Sequence, residues 1–266
     1  MNDIALGRYV PLDSKVHRLD PRIKIIAMLV LMVSIFMVKN VWANLFLFFF
    51  FVCAILSSKL TFRFIVKSLK PMVFMLFFLF IMNMFLIREG ELLIQLGFIK
   101  IYSGALYQTA FIVTRLVLMI MVTTLLTATT APLDLTLGIE DLLNPLKKIG
   151  VPSHEIAMMI SIALRFIPTL IEDTQRIMDA QASRGVDLKE GSFKEKINGT
   201  ISMLIPLFVS IYHRAEDLAD AMEARGYYPG KTRTRYKQLR IKFSDWFILF
   251  LCVAVLVTVI ALGRVL

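Results

Sequence analysis

The chain has 266 residues, 58% of them hydrophobic, with 21 Phe, a mean hydropathy of +0.72 and a formal net charge of +10. A soluble domain of this length carries about half apolar residues and more charge, so the composition excludes a soluble globular protein and defines an integral membrane protein. Cys53 and Cys252 both lie in apolar runs, with no CxxC spacing and no ligand-type neighbour. They read as small core or lipid-facing residues, not as a disulfide or a metal site.

In chain order, Asp3, Arg8, Asp13 and Lys15 precede any apolar run. That is the wrong order for a cleavable signal peptide. Five membrane spans are expected, at 23–38, 41–57, 72–87, 106–128 and 244–263. A bilayer core needs roughly 17–25 helical residues, so the first two are short and are expected to be tilted or partly interfacial. The last runs from Trp246 to Leu262 without a charge, with Trp246 as an interfacial anchor. Arg115 stands inside the fourth span, where it either marks an ion or substrate path or pairs locally and snorkels.

Lys and Arg set the expected orientation. Residues 1–24 hold five, the 57–71 connection holds four (Lys59, Arg63, Lys67, Lys70) and 231–242 holds six, against Lys39, Arg88, Lys100 and Arg264 in the opposite loops. Fifteen against four is a strong positive-inside bias, placing the N-terminus in the cytoplasm and, after five crossings, the C-terminus outside. The run "KTRTRYKQLRIK" at 231–242 reads as an anchor to anionic lipid, and its place beside a span argues against nucleic acid.

That topology leaves 131–242 as one long cytoplasmic-side block, opened by "TATTAP", whose Pro132 ends the fourth span. It holds 14 of the 20 acidic residues. Two long helices are expected in it, "HEIAMMISIALRFIPTLIEDTQRIMDAQASRG" and "KEKINGTISMLIPLFVSIYHRAEDLADAMEARG". Each is about 30 residues, or roughly 45 Å, with an apolar first half, an internal Pro (Pro168, Pro206) and an acidic second half. Ser153 is the expected N-cap of the first, with Glu155 in its first turn. Ile156, Met159, Ile160, Ala163, Phe166 and Ile167 keep a helical stripe, as do Leu204, Leu207, Phe208 and Ile211. The stripes suit two helices packed on each other. With Met158, Met159, Met178, Met203 and Met222 they equally suit a deformable surface for partner proteins.

The ends of these two helices match. "DAQASRG" at 179–185 and "DAMEARG" at 220–226 repeat Asp, Ala, Arg and Gly in one register. Gly185 and Gly226 suit left-handed helix stops, and Arg184 and Arg225 complement the negative helix ends. Asp179 and Asp220 are expected to hold the neighbouring guanidinium. An oriented Arg at a helix tip also fits a carboxylate pocket on another protein, because its planar fork binds bidentately.

These residues give the chain its family likeness. It resembles the transmembrane T component of energy-coupling-factor (ECF) transporters, ATP-driven importers of vitamins and metal ions. The likeness spans nearly the whole chain: an opening segment "HRLDPRIKI" (17–25), apolar spans, a long coupling region and a terminal span. Its most specific part is a pair of three-residue motifs with a central Arg, falling here on Ser183-Arg184-Gly185 and Ala224-Arg225-Gly226. The resemblance implies that these motifs dock into two ABC-type ATPase subunits, which carry ATP and magnesium. It further implies that the coupling helices hold a membrane-embedded substrate-binding (S) subunit, and that this chain has no substrate, metal or cofactor site. The expected fold is an all-α integral membrane protein with about five transmembrane helices and a cytoplasmic-side module of amphipathic coupling helices. Its parts are 1–130 (N-terminal segment and four spans), 131–230 (coupling module) and 231–266 (basic linker and last span).

Enzyme readings fare worse. "GYYPGKT" (226–232) has three residues between its glycines where a P-loop needs four, and it follows a helix instead of opening one. His17, His154 and His213 are scattered, without HExxH or a Cys partner. The rival reading is a membrane-bound lipid-head-group transferase, which needs several carboxylates to hold divalent cations. Asp220 and Glu223 before Ala224-Arg225 give a fragment of such a motif, but the further Gly and downstream Asp pair are absent.

Overall fold

In the computed structural model, residues 9–86, 92–96, 99–185, 192–228 and 238–265 are described. Eight α-helices carry the chain: α1 (Pro21–Met37), α2 (Val41–Ser58), α3 (Phe62–Leu86), α4 (Ser103–Thr129), α5 (Pro132–Leu143), α6 (Ser153–Ser183), α7 (Phe193–Ala224) and α8 (Phe243–Val265). A 3-10 turn, Asn144–Ile149, joins α5 to α6. Among the described residues the remaining regular element is a hairpin of β1 (Leu92–Leu96) with β2 (Ile99–Tyr102). "LLIQLGFIKIY" carries its signal, two apolar runs split by a Gly.

Helices α2, α3, α4, α6 and α8 contain stretches long and apolar enough to cross a membrane. With them the chain is a multi-pass membrane protein. Helix α1, expected as a span, has only 17 residues, about 25 Å of rise against a hydrocarbon core of about 30 Å. Helix α6 meets the length and composition test although its charge pattern argued for the membrane surface. The third helix begins ten residues before the expected span, because it runs through Pro71. A proline removes one backbone donor there, and the remaining bonds of a 25-residue helix carry the chain past it. Arg63, Lys67 and Lys70 therefore lie exposed on its first turns, not in a loop.

The described chain divides into two compact units, Met1–Leu142 with Leu239–Leu266, and Leu143–Gln238. In the first unit α1 packs on α8 and α4, α2 on α4 and α8, and α3 on α4. Ile35, Leu47, Phe51, Leu118 and Val259 are almost wholly buried at its centre. Cys252 is buried and Cys53 exposed, both free. An apolar cavity of about 230 Å³ lies between α1, α2, α4 and α8, and Phe50, Phe51 and both cysteines line it.

The opening segment 17–25 ties this unit together. Asp20 caps α1 by accepting from the Arg22 backbone N–H at 3.0 Å, and its carboxylate also pairs with the Arg22 guanidinium at 2.9 Å. Arg22 reaches Asp141 of α5 at 3.3 Å. Lys24, buried, donates all three of its protons, to the carbonyls of His17 (3.1 Å) and Thr129 (2.8 Å) and to Thr130 Oγ1 (3.2 Å). Asp245, buried at the start of α8, accepts from the backbone N–H groups of Asp20 (3.1 Å) and Lys242 (2.6 Å). One short polar segment thus clamps α1 to α4, α5 and α8.

His17 belongs to the same clamp. Its Nε2 donates to the Val10 carbonyl at 3.1 Å, and its Nδ1 accepts from the Ser14 hydroxyl at 2.7 Å. That is a satisfied neutral imidazole, and burial lowers its pKa below the ordinary value although the Val10 bond favours the charged form. Arg115 pairs locally: it donates to the Val38 carbonyl at the C-terminal end of α1 at 3.3 Å, where the helix dipole is negative.

Candidate functional site

In the second unit α6 and α7 pack against each other. Helix α6 has 31 residues and starts one residue away from expectation: the Pro152 carbonyl accepts the first helical bond, from Ile156, so Pro152 is the N-cap and Ser153 the first helical residue. Helix α7 has 32 residues and opens on a capping box. Ser192 Oγ accepts from the Glu195 backbone (3.4 Å), and Glu195 Oε2 accepts from the Ser192 backbone (2.7 Å). The S-x-x-E spacing of "SFKE" was the signal for that start.

Two polar contacts define how the helices lie. Arg214 of α7 pairs with Asp173 of α6 at 2.7 Å, and its guanidinium stands 6.0 Å from the Phe166 ring centroid. Gln181 Nε2 donates to the Ser202 carbonyl at 3.1 Å. Moving eight residues forward on α6 moves the contact twelve residues back on α7, so the two helices run antiparallel. Their C-terminal ends consequently point away from each other.

Each of those ends is an Arg-Gly stop. Arg184 is the C-cap of α6 and Arg225 of α7, both near φ −87°, followed by Gly185 at φ +83° and Gly226 at φ +73°. At α7 the Gly226 N–H bonds the Glu223 carbonyl (2.8 Å) and the Tyr227 N–H bonds the Met222 carbonyl (2.9 Å), the two bonds of a Schellman stop. At α6 the Gly185 N–H makes the matching bond to Ala182 (3.0 Å). Ser183, Arg184, Gly185, Ala224, Arg225 and Gly226 are all exposed. Ser183 Oγ turns back to the Asp179 carbonyl at 3.0 Å.

Asp179 and Asp220 do not hold the arginines. Asp179 accepts from Gln175 Nε2 at 2.9 Å, and among the described residues no carboxylate pairs with Arg184 or Arg225. The reason is spacing. Five residues at about 100° each put Asp and Arg roughly 140° apart around the helix, whereas side chains meet at three or four. Among the described residues both guanidinium groups are exposed and without an ion pair.

The stripes serve packing only in part. Ile156, Phe166 and Leu207 are half-buried, whereas Met159 is 59% exposed, Leu204 49% and Phe208 70%. Met158, Met178, Met203 and Met222 are half-buried. The pair therefore presents a broad apolar face of its own, of the kind that marks a lipid- or protein-facing surface. Among the described residues no three His, Cys, Asp or Glu side chains gather to hold a metal ion. The segment 229–237, which includes the end of "GYYPGKT" and most of the basic run, lies outside the described residues.

The fold and the paired tips define a multi-pass helical membrane protein with a two-ended helix pair. The family model "Cobalt transport protein" (CbiQ) matches residues 13–236. The chain is 46% identical to the "Energy-coupling factor transporter transmembrane protein EcfT" of Bacillus subtilis over 239 residues, 90% of each protein. It is 45% identical to the protein of that name in Clostridium kluyveri over 266 residues, 100% of this chain and 98% of that one. For the one in Streptococcus equi subsp. equi the figure is 46% over 253 residues, 95% and 94%. The chain belongs to this family, the transmembrane T components of ECF transporters.

Proposed function

We propose that the chain is the non-catalytic coupling subunit of an ATP-driven ECF importer, with Arg184 and Arg225 each docked in a groove of one of two ABC-type ATPase subunits. The observation that carries this reading is the pair of tips: two exposed arginines, unpaired with any carboxylate among the described residues, at opposite ends of one antiparallel helix pair. ATP and magnesium sit on the ATPases. The exposed apolar face of α6 and α7 holds a membrane-embedded substrate-binding subunit, and the carried solute is a vitamin or a metal ion. ATP-driven approach and separation of the two ATPases moves the tips, and the long helices pass that motion to the substrate-binding subunit. Residues 131–230 work on the cytoplasmic side, with the N-terminus in the cytoplasm and the C-terminus outside.

Co-purification of the tagged chain with mass spectrometry of its partners tests the reading. Two ATPase copies and one small membrane subunit are the expected yield, and robust ATPase or lipid-transferase turnover by the isolated chain would overturn it. A reporter fused after Lys237 should face the cytoplasm and one after Leu266 the outside. Reporters on the same side would show that the span count is wrong by one.

A further inference from the structure

The 41-residue repeat is deeper than its two tips. Aligned at that offset without a gap, α6 and α7 also share Ile156 with Ile197, Ile160 with Ile201 and Ser161 with Ser202. Asp173 and Arg214 are 41 residues apart as well, so the ion pair joins the same position of each repeat. Two antiparallel copies of one helix that touch at their own equivalent position are related there by a local two-fold axis. On such an axis identical charged residues would face each other and repel. At this position the repeat instead carries opposite charges, which attract at 2.7 Å.

The contact also lies midway between the two tips. Arg184 lies eleven residues beyond Asp173, and Arg225 lies eleven residues beyond Arg214. Each arm is about 16 Å of helix, running in opposite directions from the contact. The pair is partly shielded, with side chains 16% and 33% exposed, and Phe166 covers one face of the guanidinium.

We propose that Asp173 and Arg214 form the fulcrum of the α6–α7 pair, a positioning contact that holds the two arms equal so that both tips move together. Neither residue touches the ATPases; each acts through the tip on its own helix. The proposal rests on the docking reading above and adds to it where the balance point lies. Loss of the pair lets the helices slide or open, so that displacement of one tip is no longer matched at the other.

The test uses the full complex, co-expressed and reconstituted in vesicles, with Asp173→Arg, Arg214→Asp and the double exchange. Each single variant places like charges on the axis and should lower uptake per ATP hydrolysed by about fivefold, with membrane insertion unchanged. The double exchange restores opposite charges and should recover at least about half of the wild-type ratio. A second readout needs no ATPase. In a Cys53→Ala, Cys252→Ala background, Gln181→Cys with Ser202→Cys should be joined by a short bis-maleimide, less so with either single charge change, and fully again with the exchange. Wild-type coupling and cross-linking in both single variants would overturn the fulcrum, as would an exchange no better than the singles. If the cross-linking follows the charges while Arg184→Glu with Arg225→Glu still assembles and transports, the docking reading fails and the helix contact stands.

Discussion

The two units of this chain treat charge in opposite ways. Around α1, the residues Asp20, Arg22, Lys24 and Asp245 are buried or half-buried and saturated with internal partners. In the α6–α7 pair one ion pair joins the two helices, while Arg184 and Arg225 stand exposed with no carboxylate among the described residues. Satisfied polar groups in a low-dielectric setting fix one geometry, and removing one partner leaves the others unpaired. Unsatisfied, solvated groups cost the fold nothing to hold and remain available to a partner. The contrast separates a unit whose charges are paired internally from a helix pair that leaves two arginines exposed, and substitutions can sharpen or break it.

The largest effect is expected at the tips, on binding and not on folding. Arg184→Glu with Arg225→Glu should cost about 2–5 kcal/mol of ATPase binding at each groove, because each leaves a partner carboxylate facing a like charge. Pull-down of the ATPases measures it. Unchanged thermal stability of the variant with lost binding confirms the contrast, and retained binding would reduce the tips to ordinary helix stops, worth about 0.3–1 kcal/mol each.

The clamp should show the reverse. Asp245→Ala strips a buried acceptor from two backbone N–H groups, and a destabilisation of about 2–4 kcal/mol is expected. Thermal unfolding in detergent reads it as a lowered midpoint. A variant as stable as the parent would mean that the polar clamp does not hold α8 to α1.

A smaller change probes the helix pair by itself. Ser192→Ala removes the α7 cap and should cost about 1 kcal/mol, confined to the start of that helix. Faster amide exchange in residues 193–197, with the clamp unaffected, is the expected pattern. Faster exchange everywhere, or nowhere, would contradict two separately stabilised units.

The smallest effect concerns pH. His17 has a lowered pKa in the fold, so the unfolded chain binds the extra proton first and stability falls as pH drops below about 6.5. Unfolding midpoints compared on either side of that pH should converge when His17→Gln removes the titrating group. A parent protein that gains stability on acidification through this window would contradict the lowered pKa of the half-buried imidazole.

Much of this was legible in the residues. Long apolar runs announce membrane helices because a bilayer demands a fixed length of them, and Gly185 and Gly226 announce helix stops because only glycine adopts that φ freely. The reach of α3 through Pro71 was not legible, since a proline forbids a bond locally and only the helix around it decides whether the chain continues. The Asp–Arg pairing at the tips failed for a simpler reason: five residues apart is the wrong side of a helix.

The sequence by itself determined the membrane class, the two long helices and their matched ends, because periodicity, composition and glycine are local properties of the chain. The tertiary structure alone decided that Asp173 meets Arg214, that Lys24 spends its protons on His17, Thr129 and Thr130, and that the tips point apart. Those contacts join residues as much as 106 positions apart. Pairing over such distances depends on which helix faces pack together, and no single stretch of chain contains that information.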